Sequence, residues 1–231
     1  SSDLISFNQF NTGMGDRTVN EMRMHPDSNE VLYACTSGGF FRSGDAGLNW
    51  AQTTISPTDY IDMEIKPGDP STIYAVRKNR LDISTDGGLS FSSTFGYPIK
   101  NRMLIEVSEA DPNRLYLLVT NLYDFDSFWR SDDSGQTFYE VANSPNIMGR
   151  TTDGSDIGVG QSWYDLALEA DPENADIVYA AGINVFKTTD GGGSWSYNSN
   201  GVHVDMHYLS FSPHTHELYL ANDGGLYRSD S

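Results

Sequence analysis

The chain has 231 residues, with 32 acids against 14 Lys and Arg for a formal charge of −18, 38% hydrophobic and 12% aromatic content, and one cysteine. That is ample for a single all-β domain. No apolar run approaches the roughly eighteen residues of a membrane-spanning helix, and the acidic surplus excludes phosphate-backbone binding, which needs clustered Lys and Arg, so nucleic acid is not an expected partner.

A lone Cys35 excludes an intrachain disulfide, and its place in Val31-Leu-Tyr-Ala-Cys35 predicts a small buried hydrophobe rather than a reactive thiol. The chain starts Ser1-Ser2 without Met or leader, so it is expected to be a processed product or part of a longer polypeptide.

Taken in order, the same sub-elements recur. Alternating apolar pairs come first: Met22 and Met24, Met63 and Ile65, Ile105 and Val107, Leu166 and Leu168, Leu209 and Phe211. Period-two alternation predicts half-buried strands. A Pro/Asp turn ends each, as at Pro26-Asp27 and Asp171-Pro172, because Pro fixes φ and removes a donor. A second strand is built around Tyr33, Tyr74, Tyr116, Tyr179 or Tyr219. A third leads into Ser43, Ser84, Ser131, Thr188 or Ser229.

Four of these third strands run into one pattern: Ser43-Gly-Asp-Ala-Gly-Leu-Asn-Trp50, Ser84-Thr-Asp-Gly-Gly-Leu-Ser-Phe91, Ser131-Asp-Asp-Ser-Gly-Gln-Thr-Phe138 and Thr188-Thr-Asp-Gly-Gly-Gly-Ser-Trp195. It predicts a hairpin into a fourth strand that begins at the aromatic residue. Partial copies stand at Ser1-Ser-Asp3 and Ser229-Asp-Ser231, which divides the chain near 1–42, 43–83, 84–130, 131–187 and 188–231. A period of roughly forty residues with turn-rich punctuation is the mark of a repeat architecture.

The prediction is therefore an all-β fold, a β-propeller of about five four-stranded blades in one domain over 1–231. The last repeat lacks its fourth strand, and Leu4 to Phe10 is expected to supply it and close the ring. The other outcome is a portion of a larger propeller. Asp45, Asp86, Asp133 and Asp190 are assigned to the fold, since repeated carboxylates accepting backbone N–H groups in tight turns cannot all be one active site.

The pattern resembles the Asp-box (bacterial neuraminidase) repeat of sialidases, sortilin-type receptors, photosystem assembly propellers and xyloglucanase-like glycosidases. Trp163-Tyr-Asp-Leu-Ala-Leu-Glu-Ala-Asp-Pro172 and Asn222-Asp-Gly-Gly-Leu-Tyr-Arg-Ser229 look like the sortilin/xyloglucanase-like exported proteins of bacteria. This resemblance implies an extracellular or cell-surface protein of bacterial origin. The Arg triad and Phe/Tyr-Arg-Ile-Pro motif implied by the sialidase branch are missing, and the basic patch implied by the photosystem branch is incompatible with the charge.

In a propeller the strand 1–2 and 3–4 turns share one face, and the 2–3 and 4–1 connections the other. The boxes occupy 3–4 turns, so recognition is expected on the opposite face, where the connections are longest. That face is expected to carry a binding site for glycan or protein made of Tyr123, Asp124, Phe125 and Asp126 from one loop and Arg150, Asp153, Asp156 and Trp163 from another. Aromatic rings stacking on sugar C–H faces beside carboxylates that take hydroxyls suit carbohydrate.

His203-Val-Asp-Met-His207 is the sharpest local constellation. On a strand, His203, Asp205 and His207 face one way, adjacent members about 7 Å apart and the outer pair roughly 13 Å. They are binding residues and metal-ligand candidates, given help from Asp165 or Asp223, with a hydrogen-bonded cluster at the channel mouth as the other outcome. The Asp153-Gly-Ser-Asp156 run offers oxygens to Ca²⁺ without the full spacing of a loop site.

Two functions follow. One is a non-catalytic binding or scaffold module. The other, resembling the xyloglucanase-like group, is a glycoside hydrolase with Asp205 and Asp165 as acid and base on neighbouring inner strands.

Overall fold

A computed structural model describes residues 8–54, 57–97 and 102–229. The described chain is all β, in five antiparallel sheets that follow one another in sequence and form the blades of a five-bladed propeller. The first blade is β1 (Val19–Met24), β2 (Leu32–Thr36), β3 (Gly39–Ser43) and β4 (Ala51–Gln52); the second is β5 (Tyr60–Ile65), β6 (Ile73–Arg77), β7 (Arg80–Ser84) and β8 (Ser92–Gly96). The third is β9 (Arg102–Val107), β10 (Leu115–Thr120), β11 (Phe125–Ser131) and β12 (Tyr139–Ala142); the fourth is β13 (Ala167–Ala170), β14 (Val178–Ala181), β15 (Val185–Thr188) and β16 (Ser196–Tyr197). The fifth has three strands, β17 (Met206–Phe211), β18 (Leu218–Asn222) and β19 (Gly225–Arg228).

The inner strands β1, β5, β9, β13 and β17 pack side by side in that order. Sequence repeats counted from the box Ser are out of phase with the blades, each after the first holding the outer strand of one blade and the inner three of the next. Of Leu4 to Phe10, residues 4–7 lie outside the described residues, and 8–10 are not in a strand.

Pairing explains the recurring tyrosine. Tyr33, Tyr74, Tyr116 and Tyr179 each stand opposite a charged inner-strand residue, Arg23, Glu64, Glu106 and Glu169, while Tyr219 stands opposite Ser210. The alternation therefore gives each inner strand an apolar row for a neighbouring blade and a polar row for the central channel.

The core is a series of clusters between blades. Tyr33, Cys35 and Phe40 meet Met63 of the second blade; Tyr74, Val76 and Leu81 meet Met103, Ile105 and Val107 of the third. Tyr116, Leu118 and Phe128 meet Leu166, Leu168 and Ala170 of the fourth, whose Ala181 and Val185 meet Leu209 of the fifth. Cys35 is buried as expected, and burial pushes its thiol up, which keeps it protonated and inert.

The 3–4 turns share one hydrogen-bond pattern. Ser84 Oγ donates to Asp86 Oδ1 at 2.8 Å and accepts from Gly88 N at 2.9 Å, while Asp86 Oδ1 accepts from Ser90 N at 2.9 Å. The same three bonds recur around Ser43 and Asp45, Ser131 and Asp133, and Thr188 and Asp190. The second glycine of the last turn has a packing reason as well as a φ of 99°: a Cβ on Gly192 would lie 2.5 Å from the Phe128 ring of the blade before it.

Candidate functional site at the channel mouth

Strand alternation puts the 2–3 and 4–1 connections at the end opposite the boxes. The longest runs from β12 to β13, and the sequence pins it from within. Asn146 Nδ2 donates to Asp124 Oδ1 at 2.9 Å and to Asp156 O at 2.8 Å, and its Oδ1 accepts from Phe125 N at 2.9 Å. Asp124 Oδ2 takes Gly158 N at 2.6 Å, and Asp156 Oδ2 takes Arg150 N at 2.8 Å. Ile147 and Met148 anchor the loop in the cluster between the third and fourth blades.

This corrects part of the sequence expectation. Asp124 is buried as a loop brace and Phe125 is a core residue, so neither side chain is presented to a ligand. Asp126 accepts from Tyr97 Oη at 3.0 Å and from Ser127 Oγ at 3.2 Å. Asp153 Oδ1 and both Asp156 oxygens accept donors from their own turn. Arg150 is exposed, and only its backbone is seen to bind, accepting from Asn184 Nδ2 at 3.0 Å and donating to Asp156.

The end of the same connection is different in character. Trp163 and Tyr164 are exposed, their ring centroids 5.5 Å apart, and Arg102 of β9 holds the segment by donating from Nη1 to Tyr164 O at 3.1 Å. Tyr123 joins them: its carbonyl accepts Ser162 N at 3.3 Å while its side chain is exposed.

Beside this rim, His207 sits between two carboxylates. Its Nε2 is 2.7 Å from Asp223 Oδ1 and its Nδ1 is 3.4 Å from Asp165 Oδ1, with the Tyr164 ring edge-on at 5.2 Å between centroids. Asp205 stands close by, its Oδ1 accepting from Gln161 Nε2 at 3.2 Å and its backbone at φ 66°, a left-handed conformation that aspartate tolerates better than most side-chain-bearing residues.

Asp165 is fully buried, and neither carboxylate oxygen has a well-aligned hydrogen bond. Burial, then Asp205 and Asp223, push its carboxyl up to about 6 against the opposing pull of His207 and Arg102.

The expected His203–Asp205–His207 strand face is not formed. β17 starts only at Met206, and the pairing shifts between Met206 and Tyr208, so His203 and Asp205 lie in the preceding connection. His203 packs by the β18–β19 turn, its Nδ1 on Val204 O at 2.9 Å, and its carbonyl accepts from Asn222 Nδ2. Among the described residues the ligand atoms of His203, Asp205 and His207 do not come together within 4.8 Å, so the structure does not bring these candidate ligands to one point. Asp165 likewise precedes β13 rather than lying on it.

A set of residues missed by sequence reasoning lines the channel below. Glu21, Asp62, Glu64, Glu106 and Glu169 project into a cavity of about 650 Å³ with Arg23. Their signal was the polar half of the alternation whose apolar half had been read. Three of the acids accept from the backbone of the next inner strand: Met63 N donates to Glu21 at 2.6 Å, Ile105 N to Asp62 at 2.8 Å, and Phe211 N to Glu169 at 2.9 Å.

Glu21, Asp62 and Glu64 bring carboxylate oxygens within 4.8 Å of one another, the one such grouping among the described residues. Arg23 already bridges Glu21, at 2.6 Å, and Glu64. Burial works against the Arg23 charge, but Glu64 and Glu21 outweigh it and keep the guanidinium ionised.

No family model matches the chain. A xyloglucanase from a Paenibacillus species is 26% identical over 219 residues, covering 80% of this chain and 21% of the relative. An ancestral GH74 enzyme superposes with a TM-score of 0.70 at 15% identity, over 91% of this chain and 30% of that one.

Two further GH74 enzymes are among the similar solved structures. The enzyme of Niastella koreensis gives a TM-score of 0.61 at 17% identity, over 91% of this chain and 36% of its own. So does the extracellular domain of a putative hybrid two-component system of B. thetaiotaomicron, at 0.61 and 19%, over 92% of this chain and 26% of that one. At these identities the likeness is one of fold, and the chain spans about a fifth to a third of the length of these proteins.

Proposed function

We propose that this chain is an extracellular glycan-binding propeller module that takes a neutral β-glucan across its loop-rich face. The observation that carries the proposal is the exposed Trp163–Tyr164 pair set directly beside the imidazole of His207 and the carboxylates of Asp205 and Asp223. Flat rings supply a stacking surface for sugar C–H faces, and the polar groups next to them supply acceptors and a donor for hydroxyls. Tyr123 extends the aromatic rim. The similarity to a protein named as a xyloglucanase supports this ligand class, and the extracellular domain among the neighbours supports the location.

A hydrolase acting through Asp165 and Asp205 has less support. Glycoside hydrolysis needs both carboxyls at the scissile bond, and Asp165 is fully buried. The test is affinity electrophoresis and calorimetry with soluble xyloglucan. Wild type is expected to bind, and Trp163→Ala to weaken binding by about 1–2 kcal/mol, roughly tenfold. No retardation on xyloglucan or any other β-glucan, together with co-purification of a protein partner, would replace the glycan with that protein.

A further inference from the structure

We propose that Asp165, His207 and Asp223 form a proton-operated clamp that closes the aromatic rim of the glycan face in mildly acidic conditions and releases it in alkaline ones. The proposal rests on the binding face assigned above and adds its regulation.

Three different elements meet at the imidazole. Asp165 comes from the connection before β13, His207 from the start of β17, and Asp223 from the β18–β19 turn. An imidazolium has a donor on each nitrogen and faces both carboxylates with positive charge at once, hydrogen-bonded to Asp223 at 2.7 Å and in ion-pair contact with Asp165 at 3.4 Å. A neutral imidazole has only one donor. Whichever nitrogen loses its proton then points a lone pair at a carboxylate, and the contact becomes repulsive.

Asp165 makes that loss costly, because it is fully buried and neither oxygen has a hydrogen-bond partner. The groups facing the cluster do not relieve it. Asp165 is met by the carboxylates of Asp205 and Asp223 and by the cationic groups of Arg102 and His207; Tyr164 adds a phenol ring edge against the imidazole. With His207 neutral, three carboxylates stand against one guanidinium. One proton, on His207 or on Asp165, restores the bridge. The raised carboxyl of Asp165 agrees with a cluster that holds such a proton through the mildly acidic range.

The consequence reaches the ligand face through two adjoining residues. Trp163 and Tyr164 immediately precede Asp165, and their turn is closed by Tyr164 N and Asp165 N donating to Gln161 O at 2.7 and 2.9 Å. Releasing Asp165 from His207 frees that turn, and the rim loses its fixed geometry.

The test separates the clamp from the binding face. Without ligand, the His207 ring is titrated by NMR and the amides of residues 161–165 are followed by hydrogen exchange, as protection factors, at pH 5.5 and pH 8. Wild type is expected to show protection lower at the higher pH by roughly tenfold, the size of a one-unit shift in a coupled group. Asp165→Asn, which removes the buried charge, is expected to alter the His207 titration curve and abolish the difference. Should Asp165→Asn fail to fold, Asp223→Asn reports the same coupling from an exposed turn.

Equal protection at both pH values with an unchanged His207 titration in either variant overturns the clamp. Xyloglucan binding is then measured across the same range. Weaker binding at pH 8 in wild type, flattened in the variants, completes the proposal. A working clamp with no glycan binding at any pH would refute the ligand assignment and leave the clamp standing. Binding that ignores pH while the turn loosens would refute the regulatory link.

Discussion

Ser84 shows how a single hydroxyl can hold a hairpin. It is buried, donates to Asp86, and accepts from the amides of both Asp86 and Gly88. Ser84→Ala strands those two amides, and unfolding by urea is expected to show a loss of about 1–3 kcal/mol. Xyloglucan binding should be untouched, because the turn lies at the opposite end of the blade. An equal loss of binding would mean that the box end takes part in recognition. At this scale the sequence was partly legible: the Ser–x–Asp spacing named the brace, and Trp163, Asp165, His207 and Asp223 were each singled out. What it hid was orientation. Asp124 and Asp223 are both Asp in polar loops, yet Asp124 is folded inward onto Gly158 and Asn146 while Asp223 faces out beside His207.

At the scale of the strand, equivalent residues have unequal surroundings. Met22, Met63, Ile105, Leu168 and Leu209 occupy one register position on the inner strands. The last four are buried at junctions between blades, whereas Met22 is 59% exposed; on the third strands Phe40, Leu81, Phe128 and Val185 are buried, whereas Leu226 is 73% exposed. The junctions inside the row of blades are thus sealed, and the seam between the fifth blade and the first leaves apolar surface in water. Thermal and urea melts should show Met63→Ala costing about 2–5 kcal/mol through its cavity, and Met22→Ala staying within about 0.5 kcal/mol. Comparable losses in the two variants would mean that the seam is packed in solution. The alternation in sequence located all five positions, since the period of two is local. It could not separate Met22 from Met63, because burial is decided by the blade next door.

Across the whole molecule, the channel acids set the response to pH. Burial pushes Glu169 up to about 7 and Glu64 to about 8, and drives Asp62 and Glu106 well above the ordinary range. Such carboxyls keep in the folded state a proton that the unfolded chain releases near pH ~4. Their contribution is therefore full below that point and is lost as pH climbs through about 6 to 8. The box carboxylates run the other way. Hydrogen bonds from Ser90 hold Asp86 down at about 2, so its contribution is present above pH ~4 and is lost as pH falls towards 2. Thermal melts should find the highest Tm near pH 4–6, falling towards pH 9, with the fall reduced in Glu169→Gln. A Tm that rises between pH 6 and pH 9 would contradict the protonated channel.

The repeat, its turns and its strand alternation were fixed by the chain alone, because hairpin braces and a period of two depend on residues a few positions apart. The rest depended on which blades became neighbours. Only their arrangement around the axis gathered Asp165, His207 and Asp223 from three separate elements, turned the acids of successive inner strands towards one channel, and buried Asp165 where a carboxylate needs a proton or a cation.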